Sequence, residues 1–284
     1  MSTVPKMYNK ILFDKISLCY CSFAEFVLQY TRGIVIMTNV IVVASGKGGT
    51  GKSTVCICLS VALLRQGKRV LLIDCDCGMR GLDIMLDIEQ DILFDASDAV
   101  CGNCSFAEAI YKSKNNDNLF LMAAPFDAEN ELSPSVFRQL VDAVKHSYDY
   151  VIIDSPAGIG SGFMTAAAPA DSALIVTNAE PTSVRGAVKV RKKLEALDMR
   201  FIRLVINRFD KKVFRRMGFY PDLDAVIDAS QTQLIGIVPF DMQISVVMQR
   251  GAAGMESGTA FQSFDRVAGR LQGMRVPLNL KGML

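Results

Sequence analysis

The chain has 284 residues, of which 50% are hydrophobic and 21% are charged, and its formal net charge is +2. This length suffices for one large core, so a single α/β domain accounts for it and a second domain is not required. The net charge is too small to predict nucleic-acid binding by itself, so any basic surface must be local. No stretch of 18 apolar residues occurs, so we expect no membrane-spanning helix.

The eight cysteines predict free thiols in a reducing compartment. No basic region leads into an apolar stretch with a small-residue cleavage site, so we expect a cytoplasmic protein. Cys101 and Cys104 form the one C-x-x-C pair of the sequence. Because no second pair follows at zinc spacing, we favour a loop with two incidental thiols over a metal or redox site.

Short apolar segments alternate with amphipathic patterns along most of the chain. Seven segments lack period-2 alternation, as expected for strands covered on both faces. Three stretches with an apolar stripe predict helices at Ser133–Ser147, Thr182–Leu197 and Thr259–Leu271. This order predicts an α/β fold: a mostly parallel, twisted sheet with helices on both faces and ligands at the carboxyl ends of the strands. The predicted strands are Val40–Ala44, Arg69–Ile73, Leu119–Met122, Tyr150–Ile153, Ala173–Thr177, Phe201–Ile206 and Ile235–Val238.

Residues 1–36 do not fit this alternation. They are either an added N-terminal segment with its own role or the product of a mis-assigned start, because Met37-Thr-Asn-Val reads like a natural beginning. We favour the second interpretation. The predicted domain then covers residues 37–273, and a short tail, 274–284, follows it.

The segment Gly46–Thr54, GKGGTGKST, follows a predicted strand and opens a helix, which is the context of a phosphate-binding loop. Its glycines permit positive φ and let successive N–H groups face phosphate oxygens, while the helix N-terminus adds positive charge. Lys52 is expected to neutralise the β- and γ-phosphates, Ser53 to bind Mg²⁺, and Thr54 to reach the α-phosphate. We therefore predict that ATP and Mg²⁺ are held by Gly46, Lys47, Gly48, Gly49, Thr50, Gly51, Lys52, Ser53 and Thr54.

Aspartates end two of the predicted strands. Asp74 and Asp76 lie at i and i+2 of LLIDCDCGMRGLD, so their carboxylates point the same way on an extended chain and can serve a metal and the γ-phosphate. The alternative is a pair that caps the following turn. Asp154 ends the strand of YVIIDSPAGIGSG, a pattern typical of a Walker B element whose carboxylate holds Mg²⁺ through water. We predict a metal site at Ser53, Asp74 and Asp154, followed by a glycine-rich hinge.

Lys47 gives the loop the form KGGxGK[ST], which resembles the deviant Walker A motif of the MinD/ParA family of ATPases. The resemblance covers roughly Met37–Gly273. It implies that Lys47 reaches across a nucleotide-sandwich homodimer to the partner's phosphates, so that ATP and not ADP holds two copies together. It also implies that Asp76 orients the attacking water, which makes Lys47, Lys52 and Asp76 the expected catalytic residues of an ATP-hydrolysing enzyme.

Two further segments resemble the MinD branch of that family more than the ParA branch. They are Ser-Pro-Ala-Gly-Ile after Asp154 and Thr177–Arg185, TNAEPTSVR. In the family the positions of Asn207, Arg208, Pro239 and Asp241 surround adenine, and an asparagine can offer a base edge both a donor and an acceptor.

The branch implies a role in placing the division septum, with an activating protein and a division inhibitor as partners. The tail departs from the family's amphipathic membrane helix, because Pro277 breaks a helix early and only Arg275 and Lys281 are charged. Apolar tail residues such as Leu278 could touch a bilayer, so peripheral binding at the inner face of the membrane stays open.

Two alternatives to this function are kept. A ParA-like ATPase would position DNA or another cargo; the basic clusters Arg191–Lys193 and Lys211–Arg216 suit such a surface, but we favour a solvated face and do not expect DNA as a partner. A metal-cluster carrier would need Cys101 and Cys104 at a dimer axis. The one histidine, His146, is expected at the surface.

Overall fold

The computed structural model describes residues 39–77, 80–125, 131–244 and 258–278. The N-terminal segment 1–36 and residues 279–284 of the tail lie outside the described residues. Within the described ranges, no helix combines the length and the apolarity needed to cross a bilayer.

The centre of the fold is a sheet of eight strands in the order β3-β4-β2-β5-β1-β6-β7-β8. All neighbouring strands are parallel except β3, which pairs antiparallel with β4 at one edge. The seven strands predicted from the sequence are confirmed, and β3 is the strand that the prediction missed. The strands are β1 Asn39–Ala44, β2 Val70–Asp74, β3 Ile110–Lys112, β4 Leu119–Met122, β5 Tyr150–Asp154, β6 Ser172–Thr177, β7 Phe201–Phe209 and β8 Leu234–Pro239.

Helices cover both faces of the sheet, as the continuous apolar strands predicted. Successive residues of one strand point to opposite faces, so Val42 packs into the core on one side and Val43 into the core on the other. The first core is closed by α3, α4, α5, α6 and α8, and the second by α1, α2 and α9. The helices are α1 Lys52–Arg65, α2 Leu82–Met85, α3 Ala96–Cys101, α4 Pro134–Val144, α5 Ser161–Ala167, α6 Pro181–Glu195, α7 Lys211–Met217, α8 Leu223–Ser230 and α9 Thr259–Leu271.

Several helices begin where a side chain can accept the free N–H groups of the first turn. Asp95 caps α3 and forms a capping box with Asp98, and Ser133 caps α4 with Pro134 directly behind it. Short 3₁₀ turns lie at Glu89–Asp91 and Lys145–Ser147. The second turn carries His146, which is exposed as expected.

The tail does not continue α9 as a helix. The Arg270 guanidinium donates to the carbonyls of Val276 and Pro277 and also to that of Ile235 in β8. Residues 274–278 therefore run back against α9 and are held there. This agrees with the prediction that Pro277 ends any helix early, and it leaves Leu278 partly exposed.

Strand register brings the predicted loop and the two strand-ending aspartates to one edge. Asp74 of β2 lies opposite Asp154 of β5, and Asp154 lies opposite Val43 of β1. Since β1 runs directly into the loop at residue 46, parallel pairing alone places these groups together at the carboxyl end of the sheet.

Candidate active site

The loop Gly46–Thr54 joins β1 to α1 and has the backbone of a phosphate cradle. Gly49 and Gly51 adopt φ of +77° and +91°, which a residue with a Cβ rarely tolerates. Gly51 is the residue before the first turn of α1, so the N–H groups from Lys52 onward are directed out of the helix. Such a helix N-terminus favours an anionic ligand.

The loop packs directly against α6 through two glycines. A Cβ added at Gly46 would lie 2.3 Å from the backbone carbon and oxygen of Gly186. Backbone therefore touches backbone, with no side chain between the loop and the helix. The sequence contained no signal for this contact, because neither glycine requires a positive φ.

Asp154 is the most strongly perturbed group at this edge. Asp154 is 2% exposed, and its Oδ1 has no hydrogen-bond partner among the described residues. Burial, and then the neighbouring Asp74, raise the pKa of Asp154 to about 7 against the opposing effects of Ser53 and Lys52. A buried carboxylate with a free oxygen next to a hydroxyl suits a hard divalent cation. Because Ser53 lowers the pKa of Asp154, these two predicted Mg²⁺ residues are neighbours.

Asp74, the third predicted metal residue, is already well supplied with partners. Its Oδ1 accepts the N–H of Asp76 at 2.9 Å, and its Oδ2 accepts those of Gly81 and Leu82 at 3.0 and 3.2 Å. These bonds fix the segment after β2, so the capping alternative describes this residue in the structure. Burial still raises the pKa of Asp74, and the three N–H donors oppose that rise. Its service to a metal stays a prediction.

Asp76 follows on the same segment, half-buried, and its water-orienting role also stays a prediction. The thiols near these carboxylates are poor nucleophiles. Burial and then the charge of Asp154 raise the pKa of Cys56, and burial and then Asp74 raise that of Cys75. Thiols of this kind behave as packing groups. At the surface, Cys101 is the last residue of α3 and Cys104 lies in the turn beyond it.

The segment after β5 is tied to the loop by its backbone. The N–H of Gly158, which has φ +94°, donates to the carbonyl of Ser45 at 2.9 Å. The N–H of Ser155 donates to the carbonyl of Val43 at 3.2 Å. A shift of the backbone at the start of the loop would therefore also shift the predicted glycine-rich hinge.

Lys47 turns away from these carboxylates. Its Nζ lies 3.4 Å from Glu180 Oε2 and 3.4 Å from Thr182 Oγ1, at the start of α6, and both members of the ion pair are about half exposed. Lys52, in contrast, is buried. The two lysines of one loop thus face different surroundings, one inside the chain and one toward solvent.

Asn207 contacts the phosphate loop from the side of β7. Its Nδ2 donates to the carbonyl of Thr50 at 2.8 Å, and it packs so closely on Gly51 that a Cβ there would lie 2.4 Å from it. One of the two Nδ2 hydrogens is therefore used on the loop, and the contact of Asn207 with a base stays a prediction. The carbonyl of Asn207 accepts from Asn178, a residue that sequence reasoning did not single out.

The other predicted adenine residues lie along the same edge. Arg208 has φ +54° at an irregularity of β7, and its Nη1 donates weakly to the carbonyl of Gly49 at 3.4 Å. Pro239 ends β8, and Asp241 accepts the N–H of Gln243. Arg208 borders the loop, and the contact of all three residues with a base stays a prediction.

Fold and site together define an α/β P-loop nucleoside triphosphatase. A family model described as an AAA domain matches residues 38–206. The septum site-determining protein MinD of Synechocystis sp. is 39% identical over 248 residues, covering 85% of this chain and 92% of the relative. In the MinC:MinD cell division protein complex of Aquifex aeolicus, the matching chain has a TM-score of 0.78 at 35% identity, with 85% of this chain and 98% of that one covered.

The septum site-determining protein MinD of Pyrococcus horikoshii, solved in complex with Mg-ADP, has a TM-score of 0.73 at 29% identity, covering 83% of this chain and 96% of that one. The chain belongs to the MinD family of the MinD/ParA ATPases. The resemblance seen in the loop and in the segments after β5 and β6 is thereby confirmed.

Proposed function

We propose that the chain is a switch ATPase that binds ATP with Mg²⁺, dimerises on ATP, and hydrolyses it to ADP and phosphate to regulate where the division septum forms. The observation that carries this is the division of labour between two lysines of one loop. Lys52 is buried beside Asp154, and Lys47 is held outward at the start of α6. In the sandwich dimer that the family resemblance implies, this outward lysine would serve the partner's phosphates.

Within one chain, the residues divide the work on the phosphates. The loop N–H groups and Lys52 bind and orient the triphosphate, and Ser53 with Asp154 would hold the metal. Bound Mg²⁺ would supply positive charge to the phosphates. Asp76 would orient the attacking water, and Lys47 of a second copy would add positive charge where negative charge develops.

The nucleotide state is sensed through the backbone. The Gly158–Ser45 hydrogen bond joins the hinge to the loop, and the three bonds of Asp74 hold the segment after β2. A shift of the loop on loss of the γ-phosphate would be passed to the hinge through the Gly158–Ser45 bond. A partner protein that binds only one of the two conformations would then distinguish the nucleotide states.

Partners are proposed on two grounds. A relative in Aquifex aeolicus is solved in a complex of MinC with MinD, which supports a division-inhibitor partner for this chain. The exposed face of α6 carries Arg185, Lys189 and Lys192 at helical spacing, a cationic row that suits an acidic activating protein. Because the tail is held by Arg270, membrane binding would fall to such a partner or to residues outside those described.

The test is the oligomeric state of the Lys47→Ala variant, measured by light scattering with ATP and with ADP. We expect wild type to dimerise with ATP alone and the variant to stay monomeric while still binding nucleotide. Lys192→Ala, an exposed lysine of α6, is the matched control and should dimerise normally. A Lys47→Ala protein that dimerises like wild type would refute the sandwich mechanism.

A second candidate keeps the ATPase and changes the cargo. The cationic row on α6 would also suit DNA, as in a ParA-like protein. Co-sedimentation with anionic liposomes and with DNA, each with ATP and with ADP, separates the two. ATP-dependent binding to DNA that Arg185→Ala and Lys189→Ala abolish would favour the second candidate.

A further inference from the structure

Four large apolar side chains gather around one cavity beside the phosphate loop. Val213, Met217, Phe219 and Phe240 are 56, 53, 50 and 47% exposed, and all line a cavity of about 510 Å³. Scattered exposed apolar residues need no explanation, whereas a contiguous group commonly marks an interaction site.

The patch is presented by a well-anchored element. Asp210 accepts the N–H groups of Lys212 and Val213 and so starts α7. The Phe214 ring packs 5.3 Å from that of Phe209 in β7. Val213 and Met217 are four residues apart and lie on one side of the helix. The patch is therefore preformed.

Bound nucleotide accounts for one side of this cavity only. Four predicted nucleotide residues, Lys47, Gly48, Gly49 and Arg208, lie in its wall. Ser53, Thr54 and Asn207 are not in its lining. The cavity thus opens where Lys47 lies and not where the first turn of α1 points.

Its position beside Lys47 identifies the occupant. A lysine that reaches a partner's phosphates must itself lie inside the contact, and a stable contact buries about 800 Å² on each side. Residues that share a cavity with Lys47 then fall beneath the second copy. Aromatic residues and methionine are also enriched at the centres of such contacts.

Charge around the cavity is compatible with self-association. Lys47 and Arg208 provide positive charge in its wall, and Asp210 provides negative charge. A surface that holds both signs can complement itself about a two-fold axis, because each copy offers the same patch to the other.

We propose that the α7 patch, formed by Val213, Met217, Phe219 and Phe240, is an apolar contact between two copies of this chain in the ATP-bound dimer. The proposal rests on the proposed function, because it requires the dimer that Lys47 is expected to form. It adds to that function the surface that supplies apolar binding energy next to the two nucleotides.

The test is the Met217→Asp variant and the double variant Val213→Asp/Met217→Asp. Dimer dissociation constants are measured by analytical ultracentrifugation with a non-hydrolysable ATP analogue, and monomer affinity is measured with fluorescent ADP. We expect the dimer to weaken at least ten-fold and ADP affinity to stay within two-fold of wild type. Phe201→Asp is the matched control, since Phe201 is 63% exposed at the opposite end of β7, and it should leave both values unchanged.

Two outcomes would overturn the proposal. One is a Met217→Asp protein that dimerises like wild type; the other is a parallel loss of ADP affinity, which would assign the patch to the nucleotide. Failure of wild type to dimerise at all would instead refute the proposed function and this contact with it. Suppose that wild type and Met217→Asp both dimerise and Lys47→Ala does not. The proposed function then stands, and only the α7 contact is refuted.

Hydrogen exchange gives a second measurement that does not depend on the folding of a variant in α7. Amides of α7 should gain protection when the analogue is added to wild type, and should gain none in Lys47→Ala with the analogue bound. Equal protection in both proteins would show that nucleotide binding alone orders α7, and would overturn the proposal.

Discussion

The two flanks of the phosphate loop differ in burial and in the source of their partners. On the side of β2 and β5, Asp74 and Asp154 are 3 and 2% exposed and are bound within the chain. On the side of β6 and β7, Lys47 is half exposed and borders an open apolar cavity. On the first flank, buried charged groups interact within one molecule. On the second flank, exposed groups can contact a second molecule. Substitutions on the two flanks should therefore differ in what they change.

The largest effect is expected for Asp154→Asn on the buried flank, as a pH dependence of stability. The folded pKa of Asp154, about 7, lies above its unfolded value, so the stabilising proton is present below about pH 4 and is lost as pH rises to 7. Asparagine does not titrate, so the variant does not lose stability in this way. Its free energy of unfolding relative to wild type should grow by about 1.4 kcal/mol per pH unit, up to about 4 kcal/mol in total.

Urea denaturation of both proteins without nucleotide between pH 4 and 8 measures this difference. A constant difference across that range would contradict the assigned burial of the charge. ATP hydrolysis by the variant should fall at every pH, because the amide cannot replace the carboxylate toward the metal.

Gly46→Ala should be next in size. The new Cβ would meet the Gly186 backbone at 2.3 Å, and overpacking of this kind costs about 3 kcal/mol. Gly186→Ala is the matched comparison. Its new Cβ would lie 3.0 Å from the nearest atom, in the Gly46 backbone. A small shift relieves that contact, so we expect a loss of stability of about 1 kcal/mol. Thermal or urea unfolding measures both, and equal losses would show that the glycine contact is not the cause.

Asn207→Ala tests how firmly the loop is held from the β7 side. It leaves the Thr50 carbonyl without its donor, which should cost about 1 to 3 kcal/mol of stability and weaken ADP binding by the monomer. Urea denaturation and titration with fluorescent ADP measure the two effects. Unchanged values would mean that water replaces the amide without loss.

Glu180→Gln should give the smallest effect, on the exposed flank. Its pair with Lys47 is half exposed, so the loss of monomer stability should stay below about 1 kcal/mol. Because the variant frees Lys47 for a partner's phosphates, the ATP-bound dimer should tighten a few-fold, and added salt should reduce the difference. Glu195→Gln, which breaks the Arg191 pair on the same helix, should not tighten it.

Much of this architecture was accessible from the sequence because it depends on local patterns. Buried strands are continuous apolar runs, and the phosphate loop is a contiguous motif whose context fixes its geometry. The strand β3 was missed because Ile110–Lys112 is three residues long and partly polar, and it exists only through pairing with β4.

What the sequence could not provide are contacts between segments far apart in the chain. The bond from Asn207 to Thr50, 157 positions away, is one of them. The segment Lys211–Met217 was interpreted by its four cations, and the exposure of Val213 and Met217 became visible only with α7 in place. Such features depend on which strands are neighbours, and local pattern does not encode that order.

The contact of Gly46 with Gly186 has a mechanical consequence. With no side chain between them to absorb movement by changing rotamer, the loop and α6 form a stiff joint, and a displacement of either must move the other. A protein bound to the outer face of α6 would stand one helix diameter from the phosphates. Under the proposed function, a partner bound there could alter hydrolysis by moving α6, without entering the site.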